Sequence, residues 1–99
     1  MDIGDVTVET FDGREGEVFT IAFADGTLDL TLAEVQRMAD DWGRSEQREP
    51  FSAFFDGPLE PVLPQRIWPL DHEELGRTEL FLVPVGPEDG KMRYEAAFT

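Results

Sequence analysis

Cysteine is absent from the 99 residues, which excludes disulfide scaffolds and thiolate metal sites. Cations are scarce. Eight Lys and Arg stand against 22 Asp and Glu, a formal net charge of −14. Such a chain is repelled by phosphate backbones, so nucleic acid is not an expected partner. Long apolar runs are lacking too. The longest stretch without a charged side chain is Leu80–Pro87, far short of the ~20 residues of a spanning helix, so no membrane partner is expected. Met1 to Asp5 offers neither the basic start nor the apolar run of a signal peptide, and the expected location is cytoplasmic. Histidine occurs once, as His72 between Asp71 and Glu73. A zinc site needs three or four fixed N, S or O ligands, and no acidic turn spells a calcium loop. No metal and no cofactor is expected.

Acidic residues are dense, and denser toward the start: residues 1–34 hold nine acids and one arginine, net −8, and the remainder carries −6. Like-sign charge of this size disperses a small protein. It also permits docking onto a basic partner or mimicry of DNA's charge.

Turn residues dominate the rest. Asp-Gly occurs at Asp12-Gly13, Asp25-Gly26, Asp56-Gly57 and Asp89-Gly90, and such pairs suit tight turns. Between them, apolar residues alternate with a period of two, the pattern of half-buried strands. Phe19, Ile21 and Phe23 share one face; Leu28, Leu30 and Leu32 share another across Asp25-Gly26. Met92, Tyr94, Ala96 and Phe98 alternate likewise, with Arg77–Val85 as the expected partner. Leu80 to Val83 is apolar on both faces and reads as a strand that is central or covered twice. Phe51–Phe55 and Gln65–Leu70 complete about six strands; Pro69 makes the latter an edge or bulge, and Pro84 ends or kinks its own. Thr7–Phe11 reads as a capped helical turn with Phe11 in the core. Residues 32–42 fit a helix through Leu32, Val35, Ala39 and Trp42, behind a Thr31…Glu34 capping box. They equally fit a strand continuing to about Met38 with a bulge near Ala33 and Glu34, the reading adopted. Asp40 to Glu49 is a polar loop. The expected fold is all-β: one domain spanning residues 1–99, a small antiparallel barrel or strongly curled sheet, with an open sandwich as the alternative.

Catalytic signatures are thin. Paired-carboxylate chemistry needs one carboxyl with a raised pKa in an apolar cleft. Asp29 alternates outward, and Asp56 reads as a turn residue. There is no G-x-S-x-G, no phosphate-cradling glycine loop, and only Ser45 and Ser52 as serines. No catalytic residue is expected. The most specific short pattern is Pro58, Pro61 and Pro64 at polyproline spacing. With Arg66 it spells P-x-x-P-x-R, the form of an SH3-type ligand. The same residues suit an extended connection across a barrel end, with Val62 and Leu63 packed inward. Trp42 and Trp68 are candidate interface anchors. Trp42, Pro61, Pro64, Arg66 and Trp68 thus form the candidate interaction set.

Residues 48–52, 57–65, 70–76, 79–86 and 93–96, with Glu9-Thr10-Phe11, Gly16 and Phe19, resemble a family of small bacterial proteins of about this length, a domain of unknown function. The resemblance implies no catalytic residue. It favours strand over helix for Leu28–Met38, makes His72 part of a recurrent turn, and implies genes neighbouring tail-collar or tail-fibre-like proteins of phage type. The functional expectation is a non-enzymatic accessory domain working by protein contact or as a homo-oligomer, within a phage-tail-like assembly. A barrel binding a small apolar ligand and an acidic DNA mimic are the alternatives.

Overall fold

The computed structural model describes residues 3–37 and 49–98. Six strands follow one short helix, α1 (Val8–Phe11): β1 (Val18–Phe23), β2 (Gly26–Arg37), β3 (Phe51–Gly57), β4 (Arg66–His72), β5 (Gly76–Glu88) and β6 (Lys91–Phe98). All neighbours are antiparallel, and the sheet closes in the order β1-β2-β3-β6-β5-β4. With β4 returning to lie beside β1, the first four strands form a Greek key. Closure is narrow: β1 and β4 share one register pair, Thr20↔Asp71. Pro69, two residues away, has no N–H to extend the ladder.

Alternation sends Phe19, Ile21, Leu30, Leu32, Phe51, Ala53, Phe55, Leu70, Leu80, Leu82, Tyr94 and Phe98 into the barrel, all buried. Phe11 closes one end, its ring centroid 6.0–6.2 Å from those of Phe19, Phe51, Phe55 and Phe98. Helix α1 holds it there, and the Thr7 N–H donates to Thr10 Oγ1 at 3.0 Å, fixing the first turn. Trp68 closes the other end, edge-on to Phe23 at 5.9 Å. The β3–β4 connection, residues 58–65, crosses this second end. The Leu63 N–H donates to the buried Tyr94 hydroxyl at 2.9 Å, and Trp68 Nε1 donates to the Pro64 carbonyl at 3.0 Å.

Several expectations change. Residues 32–37 are strand, as the alternation into them implies. Leu32 pairs with Phe55 and Glu34 with Phe54, leaving Ala33 as the extra residue of a bulge. The Asp56-Gly57 pair is not a turn: it ends β3, with Asp56 opposite Arg93 and Gly57 opposite Met92. The β1–β2 turn is centred one residue early, on Ala24 and Asp25, since Phe23 pairs with Gly26. Asp89-Gly90 is a two-residue hairpin turn with φ of 52° and 78°, the left-handed pair that matches strand twist. Pro84 does not end β5 but marks its kink: the strand bulges between Pro84 and Gly86 and runs on to Glu88. The stretch from Leu80 to Val83 is central, between β4 and β6, but among the described residues it is not covered twice: Leu80 and Leu82 are buried while Phe81 is exposed. In the crossing connection Leu63 packs inward and Val62 faces solvent.

Candidate interaction surface

At the α1 end, the constellation that most resembles acid–base machinery centres on His72. Its side chain is buried, with Nε2 at 2.7 Å from Glu17 Oε1 and its ring at 4.6 Å from that of Phe19. Nδ1 accepts the backbone N–H groups of Glu74 (3.0 Å) and Leu75 (3.1 Å). Two N–H donors at Nδ1 place the ring proton on Nε2, which donates to Glu17. Arg14 Nη1 then joins Glu17 (3.1 Å) to Glu74 (3.2 Å). The hydrogen bond from His72, reinforced by Arg14, holds the Glu17 carboxyl below the ordinary carboxylate range, against the desolvation that would raise it. A general base needs a free lone pair facing substrate. Here the basic nitrogen is engaged by the β4–β5 turn, and the cluster ties that turn to Glu17 and Arg14.

A second polar cluster lies on the outer face of β2, β3, β5 and β6. Arg93 meets both oxygens of Asp56 (3.0 and 3.4 Å) and lies 3.6 Å from Glu34 and 3.4 Å from Glu88. One arginine thereby offsets three carboxylates, and the arrangement ties four strands together. Beside it a depression of about 280 Å³ is lined by Asp29, Thr31, Asp56, Gly57, Pro58 and Lys91. Among the described residues no group of three or more His, Asp or Glu side chains is placed to hold a metal ion.

Part of what the barrel leaves uncovered is apolar. Ile67 and Phe81 are cross-strand partners on the outer face of β4 and β5, 56% and 48% exposed. Directly opposed side chains of this size normally bury each other's flanks, yet here both keep about half their surface in water. Phe23, Leu59, Val62 and Val85 are also exposed. Phe23 touches Trp68, Leu59 and Val62 lie in the connection crossing the Trp68 end, and Val85 lies further along β5 in that direction. Of the seven large exposed apolar side chains among the described residues, only Val18 lies away from this region.

The profile of a family described as a domain of unknown function, DUF6916, matches residues 6–98. The chain belongs to this family. No curated protein and no solved structure matches it. The matched span takes in α1, all six strands and the crossing connection, so the surface described above is part of the family's domain.

The candidate set read from the sequence falls partly on this surface. Pro64, Arg66 and Trp68 come together at the barrel end: Arg66 Cζ lies 4.6 Å from the Trp68 ring centroid, and Trp68 is bonded to Pro64. Trp68 is buried, so its ring closes the barrel and anchors the connection. Arg66 is a strand residue paired with Leu82, which takes it out of a continuous polyproline ligand. Pro61 lies in the same connection, and Trp42 lies outside the described residues. Sequence reasoning missed Ile67 and Phe81. The signal was present: Phe81 breaks the alternation between Leu80 and Leu82, but an apolar residue on both faces was read as a covered strand.

Proposed function

We propose that this chain is a non-enzymatic, cytoplasmic protein-interaction domain that binds a larger protein through the outer face of β4 and β5 and the adjoining Trp68 end. The observation that carries the reading is the exposed Ile67–Phe81 pair. Apolar side chains gathered on one part of a small barrel mark a contact surface, whereas scattered ones carry no such meaning. The interior supports the same reading, since phenylalanine rings fill the space in which a barrel would hold a small ligand. The engaged His72 supports a role without chemistry. An accessory part of a phage-tail-like assembly, as the family resemblance implies, is the setting we propose. The test is co-expression with the product of an adjacent gene, followed by size-exclusion chromatography with light scattering. A stable complex that is lost in Ile67→Ser/Phe81→Ser, with Tm unchanged, is the expected result. A complex indifferent to both substitutions overturns the assignment of the surface.

A further inference from the structure

The charge of the molecule says what kind of partner covers this face. We infer that the occupant is a cationic protein segment that sets an aliphatic anchor against Ile67 and Phe81, and this rests on the contact reading above. Around the apolar residues the acids outnumber the bases. Glu79 lies on the outer face beside the pair, opposite Pro69. Asp25 forms the turn after Phe23, Glu60 sits between Leu59 and Val62 in the crossing connection, and Glu88 and Asp89 end the β5 hairpin beyond Val85. The cations nearby are Arg66, which lies over the Trp68 ring, Lys91, and Arg93, which lies 3.4 Å from Glu88 and is shared with Asp56 and Glu34. Arg77 is committed to Asp71 through two hydrogen bonds of 2.8 and 3.0 Å. An apolar face in an acidic frame is matched by apolar side chains interspersed with Lys or Arg.

A second copy is the occupant the charge disfavours most. Two chains at −14 each repel at long range, and face-to-face docking would bring the acidic frames together. A cationic partner is steered in by the same field that keeps copies apart, and screening by salt weakens that steering.

Three synthetic dodecapeptides alternating valine with arginine, serine or glutamate, titrated into the ¹⁵N-labelled chain and followed by amide shifts, separate the possibilities. The inference expects the arginine peptide to bind with shifts centred on residues 59–68 and 79–86. Binding should weaken as salt rises and fall roughly tenfold or more in Ile67→Ser/Phe81→Ser. If the serine peptide binds the same face equally well, the contact surface stands and the cationic partner is overturned. Shifts spread evenly over the acidic turns at both ends, or unaffected by the double variant, overturn both readings, as does binding by none of the three. Light scattering on the chain alone supplies the remaining outcome. A dimer that dissociates in the double variant would make a second copy the occupant and overturn the inference.

Discussion

A Cβ built at Gly57 would come within 2.6 Å of Leu30 Cδ2 and 3.6 Å of Tyr94 Cε2. Leu30 is fully buried, so its methyl can yield only by displacing its neighbours in the core. Gly57→Ala should therefore destabilise the fold by about 1–3 kcal/mol, the usual cost of overpacking a filled core, measured by urea denaturation. An unchanged midpoint would mean that the end of β3 can shift outward. Glu17 gives the pH dependence. Its folded pKa lies below the unfolded value because His72 and Arg14 bond the carboxylate. The stability it contributes is thus present in full above the ordinary carboxylate pKa and is lost as pH falls through the depressed folded value. Glu17→Gln keeps an acceptor for His72 but removes the titration, so the fall in Tm on acidification should become shallower. It should not vanish, because Asp71, lowered by its hydrogen bonds to Arg77, acts in the same direction. Little of this was legible from residue types. Asp-Gly favours a turn wherever a turn is needed, but at Asp56-Gly57 the aspartate is wanted for Arg93 and the glycine for a close approach across the barrel, both set by distant strands. His72 read as a turn residue but ends β4 opposite Gly76, beside the turn its Nδ1 accepts from, and its partner Glu17, 55 positions earlier, was not legible.

At the scale of elements, alternation carried most of the architecture. The inward residues of β1, β3 and β6 are those the period of two selects, and the strand reading of residues 32–37 follows from the same rule. The conflict there has a physical source. Leu32 faces inward, Val35 packs against the core, and they are three residues apart because Ala33 is extra at the bulge. A bulge in a strand thus imitates one turn of helical spacing. Outer coverage was not legible, because alternation says which face points inward and nothing about what lies outside. The crossing connection is held by two polar contacts, the Leu63 N–H to the Tyr94 hydroxyl at 2.9 Å and Trp68 Nε1 to the Pro64 carbonyl at 3.0 Å. Tyr94→Phe leaves that buried donor without its acceptor and should cost about 1–3 kcal/mol. Amide exchange should show the loss as faster exchange at Leu63, with β1 and β2 little changed. Equal protection in the two proteins would mean that Leu63 packing and the Trp68–Pro64 hydrogen bond hold the connection without the tyrosine.

Over the whole molecule, the charge of −14 and the exposed apolar side chains belong to one description. The barrel satisfies its interior with phenylalanine, its ends with Phe11 and Trp68, and four of its arginines with carboxylates. Arg14, Arg37, Arg77 and Arg93 are all in ion pairs. On the reading proposed above, the remaining acids keep copies apart and leave the β4–β5 face to a partner of opposite sign. Ile67 and Phe81 make no contribution to the filled interior, so their replacement by serine should leave folding intact. The most direct measurement is the affinity of the co-expressed partner for Ile67→Ser/Phe81→Ser compared with the parent chain, taken alongside Tm. The account predicts a loss of tenfold or more, on the order expected for removing central apolar anchors, with Tm unchanged. Undiminished affinity in a folded double variant would contradict it.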